Sequence, residues 1–544
     1  MSAGPRPTRP RRSLAIALVI AALAAYLVMN WTIVVDVATN ATRPPAKTAL
    51  YTAWIACGFV TFAAFTIAAR AWLLWALLAC AFVSLTVNYA YLSIMREALT
   101  VDVIEWLPHE IGQLGNVSIE HGAKILPATA RAAALIAVFV VLRWLARRSG
   151  GVAERLATHR RASPLATLAL LGFTAAGMVL QPPSSVAESN LYAFGIPALY
   201  ARAPDPRPLD ARPVRASPFR KIVVIVDESV TREAYERLVA RRTQGLPVAD
   251  FGEAASTTNC SAPSNALLRW GVRREEAAHA DYDPRTNPMI WAYARAAGFA
   301  TVLIDGQSTG GKQNYLNPKE LELIEEFVPA ERDAQTDIAI ADILNKRLKS
   351  PRPAFIYVVK KGAHFPYEMN YPPDAVRANA SRAEKYAAAV SHTTGKFFER
   401  LSRGLPFDRI LLVYTSDHGQ DLTKRATHCN GDPAAEEYSV PLLAITGDRK
   451  GAGFRSSETL FDHASHLNIF PTVLISLGYD EHWVAATYGP SLAGPPSPYL
   501  SFVNRGWQGQ RGAERHTVRA SDFVTSETFP KRAPGAGRQL MLED

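Results

Sequence analysis

The sequence predicts a two-part protein: a five-helix transmembrane bundle, then an α/β domain with a mostly parallel central sheet. Three observations carry this. Long apolar runs are confined to the first ~180 residues, and beyond them short apolar strands alternate with amphipathic helical segments. Two of those strands end in acidic or imidazole side chains, as strands of a ligand-binding open sheet do.

Taken in order, the apolar runs lie at about 13–35, 50–69, 72–93, 127–145 and 164–181, each close to the ~20 residues that cross a bilayer. They follow one another through short connections, which argues against five buried helices of a soluble protein. Lys and Arg gather on the cytoplasmic side of a membrane. Arg6, Arg9, Arg11 and Arg12 precede the first run, Arg70 marks the turn between the second and third, and Arg143, Arg147, Arg148, Arg155, Arg160 and Arg161 surround the connection between the fourth and fifth. The N-terminus is therefore expected inside, and everything beyond about residue 182 outside. The first run is too long for a removed signal peptide and is expected to stay as an anchor. The connection 95–108 mixes charged and apolar residues near a helical period, and reads as a membrane-surface helix or as an ordinary loop helix.

Composition places the remaining boundaries. Residues 1–181 are expected to form the membrane domain, 182–219 a Pro/Arg-rich linker, 220–489 a catalytic domain, and 490–544 a loosely packed Pro/Gly/Arg-rich extension whose last ~17 residues have no apolar face to bury. Within the α/β part, strands are expected at 221–226, 299–305, 353–359, 409–415 and 440–446, with helices at 229–240, 286–297, 335–348, 379–402 and 466–478. The formal charge of +10 does not point to nucleic acid, because many basic residues are topology signals and others sit in the linker and tail. An exported basic domain suits anionic lipid head groups instead. Of the four cysteines, Cys57 and Cys80 fall in membrane runs, which leaves Cys260 and Cys429 as one disulfide or two buried thiols.

The chemistry concentrates at strand ends. Ser416-Asp417-His418-Gly419 follows an apolar run, and adjacent oxygen and nitrogen donors there suit a divalent metal. The run 221–226 leads likewise into Asp227-Glu228-Ser229. Between them, small polar residues from Thr257 to Asn265 enter an apolar helix start, where a serine hydroxyl beside a metal would gain nucleophilicity from the cation and the helix dipole. Taken alone, that segment reads as an N-cap, Glu228 as a helix cap, and His364 and His428 as solvated loop histidines.

These motifs, with Lys361-Gly-Ala-His364 and Thr427-His428, stand in the order of the lipid phosphoethanolamine transferases, membrane-anchored members of the alkaline-phosphatase and sulfatase superfamily, and the chain resembles that family over most of its length. The segment Ser465-His466-Leu-Asn468 resembles a further family segment. The resemblance implies that Glu228, Ser261, Asp417 and His418 hold a catalytic zinc, with manganese or magnesium as alternatives. It implies Ser261 as nucleophile, with Ser264 as second candidate, and His364, His428 and His466 as substrate-binding residues, the first two also exchanging protons. It further implies an inner-membrane enzyme moving phosphoethanolamine from phosphatidylethanolamine to an envelope glycan or lipid, with no nucleic-acid partner.

Several departures bear on this expectation. The family usually presents threonine where Ser261 stands, and its paired cysteines are mostly absent. Asn265 replaces the arginine of the sulfatase segment, which argues against formylglycine chemistry. A phosphoglycerol transferase, a phosphodiesterase, and a non-catalytic lipid-binding envelope protein remain the alternatives. Cys260 precedes Ser261 and Cys429 follows His428, so a bridge between them would fasten two site loops.

Overall fold

The computed structural model describes the chain apart from residues 1–9, 40–43, 96–98, 100–103, 105–113, 149–158, 160, 181–185, 201–203, 280–281, 308–313, 331–332, 378, 402, 425–426, 431–432, 449–463, 495–498, 505, 508–514, 524 and 526–544. The chain divides into two compact units, Met1–Arg202 and Ala203–Asp544. Most of the connection 95–108 and the last ~17 residues lie outside the described residues.

The first unit is helical. Its longer helices are Pro10–Met29, Pro45–Ala68, Ala71–Met95, Leu114–Arg148 and Ala162–Leu180, and each of the five expected apolar runs falls on one of them. Three stretches, Pro45–Ala68, Ala71–Ser93 and Gly122–Arg148, are long and apolar enough to cross a membrane, whereas Ile16–Met29 and Ala162–Gly177 are shorter apolar helices. The first expected run is shorter than predicted because the helix breaks at Asn30 before resuming at Trp31–Thr39. Trp72, Trp75, Leu168 and Leu171 are exposed on these helices, as side chains facing lipid would be. Buried Arg143 donates to the carbonyls of Thr66 and Ala69, which satisfies the C-terminal end of its neighbour helix. Residues expected to be linker instead form the helix Asn190–Tyr200. Glu188 just before it is buried and accepts from Tyr26 Oη at 2.8 Å and Asn30 Nδ2 at 3.1 Å.

The second unit is built on an eight-stranded sheet. Its strands are β1 (Lys221–Asp227), β2 (Val248–Ala255), β3 (Ala300–Asp305), β4 (Glu326–Pro329), β5 (Ala354–Val359), β6 (Ile410–Ser416), β7 (Ser439–Ile445) and β8 (Ala464–Ser465), in the spatial order β4-β3-β5-β1-β6-β7-β2-β8. Only β7 runs antiparallel to its neighbours. β1, β3, β5, β6 and β7 are buried along their whole length, which is why they read as unbroken apolar runs. Register then sets the site: Asp227 pairs level with Ser416, so the residues after β1 and after β6 leave the sheet side by side.

Where expectation and structure differ, the causes are local. β2 was not expected, because Gly252 and acidic residues interrupt its pattern and a register shift falls between Asp250 and Glu253. The expected helix 379–402 is interrupted by a π-turn, Ser391–Gly395, between Arg382–Val390 and Lys396–Arg400. That turn aims Thr394 Oγ1 at Asp227, 2.8 Å away. The expected helix 229–240 is likewise a short α-turn followed by π and 3-10 turns. The extension is not wholly loose either: β9 (Tyr499–Val503) and β10 (Arg515–Arg519) form an antiparallel ribbon whose Leu500 and Phe502 pack with Ala255, Tyr438 and Phe523.

Candidate metal centre and active site

At the adjacent ends of β1 and β6, Glu228, Asp417 and His418 are all buried and present donor atoms within 4.8 Å of one another. Nε2 of His418 lies 3.6 Å from Glu228 Oε1 and 3.6 Å from Asp417 Oδ2. Ser261 Oγ completes the group, 2.9 Å from His418 Nε2 and 3.4 Å from Glu228 Oε1. These separations match the edges of a tetrahedron, which are about 3.4 Å when each ligand bond is about 2.1 Å.

The hydrogen bonds leave the right atoms bare. Asp417 Oδ1 accepts from the backbone N–H groups of Ser229 and His418 at 3.0 and 2.8 Å, while Oδ2, fully buried, has no hydrogen-bond partner among the described residues. His418 Nδ1 lies 2.7 Å from the carbonyl of Gly419, to which it can only donate, so the Nε2 lone pair faces the cluster. Glu228 is oriented by Ser229 Oγ at 2.6 Å and Gln307 Nε2 at 2.9 Å. Two carboxylates and a neutral imidazole, one carboxylate oxygen orphaned in the interior, fit a divalent cation such as zinc.

Electrostatics lead to the same conclusion. Burial raises the Glu228 carboxyl, but neighbouring groups, the imidazole of His364 foremost, outweigh it and hold the group below the usual range. Asp417 goes the other way, pushed well up by burial and by the Glu228 charge. Burial also lowers His418, which keeps the ring neutral. Two acids this close resist ionising together until a cation joins them.

A second buried network holds the strand ends. Lys360, at the end of β5, pairs with Asp227 Oδ2 at 2.5 Å and lies 3.4 Å from Asp337 Oδ2, and Tyr414 and Thr394 donate to the same Asp227 oxygen at 2.8 Å each. Asp227 therefore turns away from the cluster and Glu228 toward it. Gly362 allows the close approach at φ +56°, since a Cβ there would stand 2.5 Å from Asp227 Oδ1 and 2.6 Å from Glu228 N.

Other residues singled out by sequence take different places. Ser261 opens the helix Ser261–Trp270, and its hydroxyl is partly accessible. Ser264 is wholly buried and donates to the Asp417 carbonyl at 2.5 Å, so this second nucleophile candidate braces the β6 end rather than facing the cluster. His466 is buried too: its Nε2 lies 3.0 Å from Thr415 Oγ1, its Nδ1 3.3 Å from Ser264 Oγ, and Thr257 N–H donates to Nδ1 at 3.4 Å. Both its nitrogens are engaged inside the protein, which leaves none for substrate. His428 stacks on His418 with ring centroids 4.2 Å apart, and His364 lies within electrostatic reach of Glu228 and His418. Cys260 and Cys429 form a disulfide. Ser229, Gln307, Asn259, Asn430 and Glu437 were not anticipated, although Gln307 follows the end of β3 and the strand-end rule points there.

Residues 238–479 match the sulfatase family model. No curated protein matches the chain. The family-model match lies wholly within the second unit. Among solved structures, the integral membrane lipooligosaccharide phosphoethanolamine transferase A (EptA) of Neisseria meningitidis is 14% identical, with a TM-score of 0.50, over 87% of this chain and 96% of that one. The C-terminal periplasmic domain of EptC from Escherichia coli is 17% identical, with a TM-score of 0.43, over 59% of this chain and 97% of that one. A second structure of that domain, in complex with zinc, has the same identity and TM-score over 57% and 94%.

Proposed function

We propose that the protein is a membrane-anchored, zinc-dependent phosphotransferase that moves phosphoethanolamine from phosphatidylethanolamine to an envelope glycan or lipid. The observation that carries the reading is the convergence of Glu228, Ser261, Asp417 and His418 with an orphaned carboxylate oxygen at its centre. Apolar helices long enough to span a bilayer support a lipid donor. The fold shared with the Neisseria transferase is compatible with it.

Glu228, Asp417, His418 and the Ser261 hydroxyl would hold the cation, which when bound stabilises an alkoxide and the charge growing on phosphoryl oxygens. In the first step the Ser261 hydroxyl gives its proton to an imidazole and its oxygen bonds to phosphorus as the bond from phosphorus to the diacylglycerol oxygen breaks. The leaving diacylglycerol oxygen takes a proton from an imidazole, and His364 and His428 are the two assigned to this work. In the second step an acceptor oxygen attacks the phosphoserine, gives its proton to the same imidazole, and Ser261 is regenerated. The N-terminal end of Ser261–Trp270 adds a dipole that favours the anion throughout.

The test is turnover by the full chain in detergent with zinc. Wild type should release diacylglycerol from phosphatidylethanolamine and carry phosphate on Ser261, and Ser261→Ala should lower turnover by at least about 1,000-fold while keeping the fold. Competition with phosphatidylglycerol separates a phosphoglycerol transferase. Full activity in Ser261→Ala would end the proposal.

A further inference from the structure

Two tripeptides, Asn259-Cys260-Ser261 and His428-Cys429-Asn430, are joined through Asn259 and Cys260 on one side and Cys429 and Asn430 on the other. Cys260 and Cys429 are bridged with Cα atoms 4.7 Å apart, Cys429 N–H donates to the Asn259 carbonyl at 2.8 Å, and Asn259 Nδ2 donates to the Asn430 carbonyl at 3.0 Å. Glu437 closes the arrangement. Its side chain is wholly buried, Oε2 accepting from Asn259 Nδ2 at 2.9 Å and Oε1 from Asn430 Nδ2 at 2.8 Å. Lys424 Nζ stands 3.6 Å from Oε1 as its cationic partner. The Glu437 carbonyl in turn accepts from Gly419 N–H at 2.9 Å, one residue past His418. A Cβ on Gly419 would meet the Glu436 carbonyl at 2.0 Å, so this contact needs glycine.

One side chain and its own carbonyl therefore reach all three segments that bear Ser261, His418 and His428. The segments need such control. Cys429 sits at φ +60°, a region a non-glycine residue holds only when its surroundings over-determine it. The two contacts that matter downstream, Ser261 Oγ to His418 Nε2 at 2.9 Å and the His418–His428 stack at 4.2 Å, tolerate little drift, since misplacement by about 1 Å costs a reacting site about 100-fold.

We propose that Glu437, acting through Asn259 and Asn430 together with the Cys260–Cys429 bridge, is a positioning residue that holds His428 in register with His418. The proposal rests on the reading that Ser261 and His428 act in phosphoryl transfer. The bland alternative is a staple that contributes stability alone, and the experiment separates the two.

Glu437→Ala and Glu437→Gln are made in the full chain, each with His428 present and with His428→Ala, and diacylglycerol release and bound zinc are measured well below the unfolding temperature. With His428 present, Glu437→Ala should lower kcat about 30-fold at unchanged zinc content, and Glu437→Gln, which keeps one acceptor oxygen and covers the case of an alanine variant that does not fold, should fall between. With His428 already removed, the same changes should cost less than about threefold, because the residue being positioned is gone. Equal fold losses in both backgrounds, or an unchanged kcat, overturn the proposal. A crystal structure of Glu437→Gln or Glu437→Ala supplies a readout that survives failure of the transferase reading: the His418–His428 centroid distance should exceed its present 4.2 Å by more than about 1 Å, and retention of the stack refutes the positioning role.

Discussion

Gln307 is the side chain through which the metal assignment can be tested without touching a ligand. Its Nε2 donates both to Glu228 Oε2 and to the Lys360 carbonyl at 2.9 Å, so it fixes the carboxylate from behind while taking no part in the cluster. Hydrogen bonds of this kind tune affinity by orienting the ligand. Gln307→Leu should weaken zinc binding about 10- to 100-fold in competition with a chelator, and unchanged affinity would remove Glu228 from the ligand set. The sequence made the candidate ligands legible and left their supports hidden for one physical reason. Asp417-His418 and Asp227-Glu228 stand at the ends of fully buried strands, where periodicity announces both the strand and its exit. Glu437 reaches the site from a turn whose path no apolar pattern records, whereas Gln307 follows β3, where the strand-end rule does point but an amide gives no metal-ligand signal. Ser261 and Ser264 are likewise told apart only by which hydroxyl the helix turns toward the cluster, Ser261 facing His418 and Ser264 the Asp417 carbonyl.

His466 shows how separate elements become one scaffold. Its ring joins Thr415 on β6, Ser264 on the helix Ser261–Trp270 and Thr257 beyond β2, so a single imidazole ties the helix that Ser261 opens to the strand that leads into Asp417. Burial drives its pKa down to about 3, and the sign of the consequence follows. Between about pH 3 and about pH 6.5 the unfolded chain binds a proton at this position that the folded chain refuses, so the contribution to stability is complete above about pH 6.5 and is lost as pH falls. The slope approaches about 1.4 kcal/mol per pH unit below that value. His466→Gln should unfold more easily at pH 7 yet lose less stability than wild type on going to pH 5, by about 2 kcal/mol in chemical denaturation. Measuring both proteins with a chelator present keeps any bound cation out of the comparison. Parallel losses would mean that His466 already takes up protons in the folded state. The same joints explain what the strand predictions missed: β2 and β8 are recognisable through what they pack against, not through their own residues, which are mixed in β2 and only two in β8.

The number of membrane crossings decides which compartment the second unit occupies, and parity makes the decision sharp. If only Pro45–Ala68, Ala71–Ser93 and Gly122–Arg148 crossed, the arginines around Arg147 and Arg148 would lie inside only with the preceding helix starting outside, and the whole second unit would then remain in the cytoplasm. A reducing cytoplasm does not keep the Cys260–Cys429 bridge, and it offers no envelope acceptor. Crossing by Pro10–Met29 and Ala162–Leu180 as well removes the conflict, since it leaves the arginines inside and carries the second unit out. Length permits this: helices of 20 and 19 residues extend about 30 Å, the thickness of a bilayer's apolar core. We therefore infer five crossings, and the inference is testable by paired reporters. A reporter active only outside the cytoplasm should be silent when fused after Arg148 and active when fused after Arg212, while one active only in the cytoplasm should give the reverse. If the fusion after Arg212 reports cytoplasm, Ala162–Leu180 does not cross, the bridge would not persist in the cell, and a phosphotransferase facing envelope acceptors could not be built from this chain.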